Sequence, residues 1–274
     1  MPLQHRPLAL DHLTIVDATP IALAEAAASV GCTGICVFLH AMPTLSLMPP
    51  YDLVTDAAAR RRLKMRMDDL GLTLDLAYPF TLSGRTEVAD FAPQFAAAAE
   101  LEAKALNLLI YDRDPARRAD RFAQFCDMAA GFDLRVALEF YPASQVRSLA
   151  DALDMVVPLS RPGQVGINVD LLHLMRSGGT LAELAAAPEG AILFAQYADG
   201  PARRPQAEWE VEAAADRQLG GTGAFDLAGF ARALPVACPR SVEIPRDAHV
   251  RAGISQLDRA REAIKSVREY ISEV

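Results

Sequence analysis

Four strand-like segments in the second half of the chain each end in a side chain able to bind a metal. They are Val136-Ala137-Leu138-Glu139, Ile167-Asn168-Val169-Asp170 with His173 three residues on, Leu193-Phe194-Ala195-Gln196, and Ser241-Val242-Glu243. An ionised carboxylate in apolar surroundings is costly unless it is paired or metal-bound. Three acids, an amide and a histidine at the same relative place imply side chains that converge on one point. Carboxylate and amide oxygens with water form a hard shell that suits one divalent ion, Mn²⁺, Mg²⁺ or Co²⁺, ahead of Zn²⁺, which prefers nitrogen and sulfur. Singly, each acid reads as a salt-bridged strand end. The register repeated four times favours a metal held by Glu139, Asp170, Gln196 and Glu243.

The elements that must position these groups form a regular rhythm. Strand candidates lie near 8–16, 34–39, 72–78, 105–111, 134–140, 165–170, 192–197 and 240–244. Between them run helical patterns near 20–30, 56–70, 88–102, 115–130, 148–158, 180–187, 226–233 and 255–272. Gly31, Gly71, Pro115, Pro142 and Pro245 punctuate the junctions. Eight β-then-α units imply an α/β fold with a parallel sheet closed into a (β/α)₈ barrel, one domain over residues 1–274. An open doubly wound sheet would carry a glycine-rich phosphate turn after its first strand, where this chain has Val16-Asp17-Ala18-Thr19-Pro20. In the barrel, strands five to eight place the four metal-ligand candidates around one quadrant of the active face. Two long βα connections, 40–55 and 199–225, are candidates for lids over that face, or for surface decoration.

Bulk composition narrows the partners. Hydrophobic residues make up 51% of the 274, enough for a large core, and the formal charge of −8 argues against a nucleic-acid surface. Cys32, Cys36, Cys126 and Cys238 form no CxxC pair and read as small buried apolar residues in a reducing compartment. Residues Met1 to Pro7 lack the apolar stretch of a signal peptide, and no apolar run reaches the roughly 18 residues of a membrane helix. A soluble, cytoplasmic protein with a small-molecule substrate and no membrane partner is expected. The C-terminal helix 255–272 spaces Asp258, Arg259, Arg261, Glu262 and Lys265 as a solvated face, which equally suits the border of a homo-oligomer.

The order of motifs also resembles a known family. Glu139 in Leu138-Glu139-Phe140-Tyr141-Pro142, Asp170-Leu171-Leu172-His173, Gln196-Tyr197-Ala198-Asp199, Arg217 before Gly220-Gly221-Thr222-Gly223, and Val242-Glu243 resemble the xylose-isomerase-like TIM-barrel superfamily of sugar-phosphate isomerases and epimerases. The similarity spans nearly the whole chain and is most specific at Asp-x-x-His and at the arginine before Gly-x-Gly. It implies that the matching acids hold one divalent metal, and that His173 and Arg217, with Tyr141 beside them, bind substrate. The implied reaction is isomerisation or epimerisation of a small sugar, sugar phosphate or related hydroxy-ketone through a metal-stabilised enediolate. Glu139 and Glu243 would remove and return the proton, with His173 hydrogen-bonding a substrate oxygen or shuttling a proton. For Arg217 a surface ion pair is the rival reading.

Gln196 departs from the epimerases, which more often place a histidine there, and matches several relatives that include dehydroshikimate dehydratases. A metal-dependent dehydratase is therefore the alternative, weakened because Tyr141 stands where those lyases commonly carry a histidine. An endonuclease-IV-like repair enzyme would need further metal-binding histidines, and Asp216-Arg217 is followed by Gln218. A non-catalytic binding barrel would not need its three acids and His173. His5, His12, His40 and His249 show no ligand spacing, although His40 ends strand two. Asp199 either steadies the site or caps a turn. Beyond Arg203-Arg204 and Arg217 no basic cluster for a phosphate stands out.

Overall fold

A computed structural model describes residues 7–272. Eight parallel strands close a barrel in sequential order, each bonded to its chain neighbours and the last to the first. They are β1 (Ala9–Asp11), β2 (Gly34–Phe38), β3 (Thr73–Leu82), β4 (Ala105–Ile110), β5 (Arg135–Glu139), β6 (Val165–Asp170), β7 (Ile192–Tyr197) and β8 (Arg240–Val242). Helices α1 (Pro20–Ser29), α2 (Ala57–Leu70), α3 (Ala92–Glu100), α4 (Pro115–Gly131) and α5 (Leu149–Val156) follow the first five strands. The rest are α6 (Leu171–Arg176), α7 (Leu181–Ala185), α8 (Trp209–Ala215), α9 (Leu227–Ala233), α10 (Asp247–Arg251) and α11 (Gln256–Ser272).

Local chemistry sets the boundaries. Asp56, Asp114, Ser148 and Asp226 accept hydrogen bonds from the first-turn amides of α2, α4, α5 and α9. Thr180 and Glu183 form a reciprocal capping box on α7. Gly71 ends α2 with φ of 65°, a left-handed conformation that glycine adopts without strain.

Three features differ from the sequence reading. The first strand stops at Asp11, because its carboxylate accepts the Leu13 amide at 2.9 Å and turns His12–Ile15 into a 3₁₀ helix. The third runs on through Pro79 to Leu82, its pairing with β4 slipping between Ala77 and Phe80. Short helices α6, α8 and α10 also occupy the connections after β6, β7 and β8.

The core has the two shells of such a barrel. Ala9, Cys36, Leu76, Ala105, Ala137 and Phe194 fill the interior, while a larger apolar cluster lies between strands and helices. Phe80, Phe91, Phe95 and Phe125 interlock outside β3 and β4, with ring centroids 4.9 to 6.3 Å apart. All four cysteines are free and buried. Among the described residues no helix is long and apolar enough to cross a membrane.

Candidate functional site

The interior alternates with a period of two along each strand. One register step above the apolar plug, that alternation turns Asp11, Tyr78, Asn107, Glu139, Asn168, Gln196 and Glu243 toward the C-terminal mouth of the barrel, all of them buried. Asp170, two residues beyond Asn168 on the same face of β6, completes the group. The pairing brings Glu139 beside Asn168, and Asp170 beside Gln196. Glu243 lies one residue past β8, its amide donating to the Tyr197 carbonyl at 3.0 Å.

Asp170 has two tasks. Its Oδ1 caps α6, accepting the amides of Leu172 at 2.7 Å and His173 at 3.4 Å. That cap starts a helix directly after the strand and swings His173, on the first turn, back over the mouth. The Asp-x-x-His spacing is thus a strand end, a cap and one helical turn. Nε2 of His173 lies 3.6 Å from Glu139 and 3.8 Å from Asp170. Burial lowers the imidazole to about 4, so the ring is neutral and these approaches are not ion pairs. Its other neighbour is Tyr141, ring centroids 4.7 Å apart. Glu139, Asp170 and His173 each bring one ligand atom within 4.8 Å of the other two, a spacing that one ion can bridge.

Arg217 is only 3% exposed, which removes the surface ion pair as its role. Its Nη1 donates to Asp170 Oδ2 at 2.6 Å and to the Glu243 carbonyl at 3.2 Å, its Nη2 to Glu243 Oε1 at 3.4 Å, and its Nε to the Ala213 carbonyl at 2.9 Å. Burial opposes the charge most strongly at Asp170, but the Arg217 guanidinium together with the other groups around it, the Leu172 amide among them, holds that acid below the usual carboxylate range. The other acids move the opposite way. Burial, then the charge on Asp170, pushes Glu139 up to about 8, and burial raises Glu243 well above the carboxylate range against the pull of Arg217.

A directed hydrogen-bond chain, which the sequence reading missed, ties these groups together. Asn107 donates to Glu139 Oε2 at 2.5 Å, and Asn168 donates to Asn107 at 3.1 Å and to the Gln196 carbonyl oxygen. Gln196 in turn donates to Asp11 at 3.1 Å, and the Tyr78 hydroxyl donates to the same carboxylate. Burial pushes Asp11 up to about 6, opposed by the Tyr78 hydrogen bond. The available signal was an asparagine inside an apolar strand, in step with a strand-end acid.

The donor set fits a divalent cation. Four buried carboxylates, Asp11, Glu139, Asp170 and Glu243, gather near the buried guanidinium of Arg217. Glu243 Oε2 is buried with no hydrogen-bond partner, and Glu139 Oε1 lies 3.6 Å from His173 Nε2 at the cavity lining. Together with the spare lone pairs of Asp170 and the Gln196 carbonyl, these oxygens supply what a hard cation requires.

The site floors a cavity of about 620 Å³. Both long connections wall it. The segment 40–55 is pinned at its base by the Ala41 amide to the Tyr51 carbonyl at 2.9 Å and by the Leu53 amide to the Leu39 carbonyl at 2.7 Å, and it presents Met42, Leu45 and Leu47. Opposite, α8 presents Glu210, Val211 and Ala213 to Ala215. A buried Arg176–Glu212 pair, with both bonds at 2.7 Å, ties α8 to α6.

Of the other histidines, His12 lies behind the wall and donates from Nε2 to the Ala18 carbonyl at 2.9 Å. His40 bridges to Asp52 and His249 sits on α10, and neither lines the cavity. His5 lies outside the described residues.

Solved structures share this fold over nearly the full chain. IolI, crystallised with a bound zinc atom, is 17% identical with a TM-score of 0.79, over 97% of this chain and 98% of that one. The chain has the xylose isomerase-like TIM-barrel fold. In the same comparison, a probable 3-DHS dehydratase, AsbF from Bacillus anthracis, is 13% identical at a TM-score of 0.73, over 94% of this chain and 98% of that one. D-psicose 3-epimerase, crystallised in the presence of D-fructose, is 12% identical at 0.71, over 97% of both. The chain spans 42% of the length of a xylose isomerase-like TIM barrel/4-hydroxyphenylpyruvate dioxygenase fusion protein, to which it is 20% identical with a TM-score of 0.76 over 95% of its own length. No protein-family model and no curated protein matches the sequence.

Proposed function

We propose that the chain is a divalent-metal-dependent isomerase or epimerase of the xylose isomerase-like superfamily, acting on a small hydroxy-ketone by proton transfer. Glu139, Asp170, Gln196 and Glu243 would hold the ion, with His173 at its edge. A bound divalent cation supplies Lewis-acid stabilisation of the negative charge that develops on substrate oxygens as an α-proton leaves.

The observation that carries the reading is the pair Glu139 and Glu243. Both line the cavity floor, and both are made more basic by burial. A carboxylate made more basic by burial is a better acceptor for a proton from carbon and can return it. Asn107 fixes Glu139 through Oε2 and leaves Oε1 facing the cavity side with His173. Neutral His173 can donate to, or accept from, a substrate hydroxyl, and its contact with Tyr141 sets the ring plane. Arg217 holds Asp170 and Glu243 at fixed separation and offsets part of the gathered negative charge.

A dehydratase is the second reading. The likeness to AsbF is as close as the likeness to the epimerase, and Gln196 departs from the epimerases toward the dehydratases. Elimination begins with the same proton abstraction and continues by losing a hydroxyl.

The test is solvent exchange. Chelated protein is given Mn²⁺ in D₂O with hydroxyacetone, fructose and a cyclic hydroxy-enone acid, and the products are followed by proton NMR. Metal-dependent deuterium wash-in without loss of water supports the isomerase, and formation of a conjugated or aromatic product supports the dehydratase. Neither, with the metal bound, would contradict both.

A further inference from the structure

We infer that the substrate is an uncharged hydroxy-ketone with an apolar substituent, and not a sugar phosphate. The inference rests on the function proposed above and narrows its substrate class.

The first observation is where the charges lie. Among the described residues lining the cavity, the acids are Glu139, Glu210, Glu243 and Asp247, and the sole cation is Arg217. That guanidinium commits four of its five N–H donors to Asp170, Glu243 and two backbone carbonyls, which leaves a single Nη2 hydrogen for a phosphate. Arg203 and Arg204 do not line the cavity, and Arg204 is held by Asp216 at 2.6 Å and Glu208 at 3.2 Å. A dianion entering this mouth would meet Glu210 and Asp247, the lining acids outside the metal-ligand set.

The second observation concerns the backbone. Barrels of this type commonly bind phosphate with the loops after strands seven and eight and a short helix there. After β7, the Gly220–Gly223 segment does gather amides into a nest, but a side chain of the protein fills it. Asp199 accepts from Gly221 at 3.0 Å and Gly223 at 2.9 Å through Oδ2, and from Gly200 at 2.8 Å and Phe225 at 3.0 Å through Oδ1. A Cβ on Gly223 would strike that carboxylate, so the glycine serves Asp199 and not a ligand. After β8, the short helix α10 opens with Asp247, an acid at the point where an anion would sit.

The third observation is what replaces the missing cations. Leu13 and Val16 beyond β1, Phe38 at the end of β2, and Met42, Leu45 and Leu47 of the pinned loop form one apolar wall. Val211, one of the exposed large apolar side chains, faces the cavity from α8. From the cavity-lining part of the pinned loop Thr44 and Ser46 alone offer hydroxyls, so a polyhydroxylated or phosphorylated tail would leave most of its polar groups without partners, whereas an alkyl or aryl group would bury apolar area. The polar floor takes the hydroxy-ketone and the wall takes the substituent.

The experiment compares 1-hydroxyalkan-2-ones from hydroxyacetone to 1-hydroxyheptan-2-one with fructose and fructose 6-phosphate, reading Mn²⁺-dependent deuterium exchange. Burial of each added methylene should raise kcat/KM about four-fold, and Leu45→Asp should flatten that slope. A parallel calorimetric titration with unreactive 1,2-alkanediols of the same lengths, and with inorganic phosphate, reads binding without turnover. Diols that bind tighter with length, and no phosphate binding, support the inference even where no ketone exchanges; in that case the isomerase reading falls alone. Fructose 6-phosphate outpacing fructose and the alkyl ketones, measurable phosphate binding in the cavity, or no gain with chain length would overturn the inference and leave the isomerase reading standing.

Discussion

Asn168 sits at the middle of the hydrogen-bond chain and decides the direction of both halves. Its two amide hydrogens go to Asn107 and Gln196, so Asn107 must present its own amide to Glu139 and Gln196 must present its amide to Asp11. The carbonyl oxygen of Gln196 is thereby turned toward Asn168 on β6, the strand that ends in Asp170, and not toward Asp11. Asn168→Leu removes both donors and leaves the buried carbonyl oxygens of Asn107 and Gln196 without that hydrogen bond. Changes of this kind behind a ligand shell typically weaken metal binding by about ten- to a hundred-fold. A Mn²⁺ titration of the variant by calorimetry checks this, and unchanged affinity would show that the chain does not orient the ligands. Glu243 is the other decisive residue. Its buried, unpartnered Oε2 is the freest oxygen at the floor, and Glu243→Gln keeps the shape while removing a base. Exchange should fall by at least about a hundred-fold with the thermal midpoint preserved. Near-normal exchange would remove Glu243 from proton transfer.

Elements explain why the site was largely legible before the fold was seen, and where legibility stopped. Strands five to eight end in polar groups that their apolar runs would not otherwise tolerate, so Glu139, Asp170, Gln196 and Glu243 stood out in sequence. Asn107 and Asn168 lie inside strands of the same kind, but an amide carries no charge to draw attention, and only the inward register gives it meaning. Helices α6, α8 and α10 have five to seven residues, too short for a helical period to show. The run from Leu8 to Val16 reads as one strand until Asp11 is seen to cap the turn after it.

Two predictions belong to this scale. Glu212 anchors α8 through Arg176 in a fully buried pair, so Glu212→Ala strands a buried guanidinium and should cost about 3–5 kcal/mol of stability by urea denaturation. A loss under about 1 kcal/mol would mean that α8 is held by its other contacts. His12 follows β1 in the 3₁₀ turn, and burial lowers it from 6.5 to about 4. The folded state refuses a proton that the unfolded state accepts, so stability is full above pH 6.5 and falls as the pH drops toward 4. The loss amounts to about 2 kcal/mol by pH 5. Urea unfolding at pH 7 and pH 5 should show a smaller acid loss in His12→Gln than in the parent, and equal losses would contradict the assignment.

At the scale of the whole molecule, the barrel gathers four carboxylates, one guanidinium and a neutral imidazole at one end of a closed sheet. The apolar plug lies beneath that end and the two walls flank it. Such a concentration of charge is unfavourable unless protons or a cation share it, and burial raises Glu139 and Glu243 accordingly. A ligand that binds only the folded barrel adds about 2.7 kcal/mol of stability at a hundred times its Kd. The measurement that bears most directly on the central claim is therefore metal stoichiometry. Protein purified without a metal-affinity tag is analysed for metal content, chelated, and titrated with Mn²⁺, Mg²⁺ and Co²⁺ by calorimetry. One divalent ion per chain, lost in Glu139→Ala, is the result this account predicts. Binding that survives Glu139→Ala, or no tight binding of any of the three ions, would contradict it and make the acids at the barrel mouth structural.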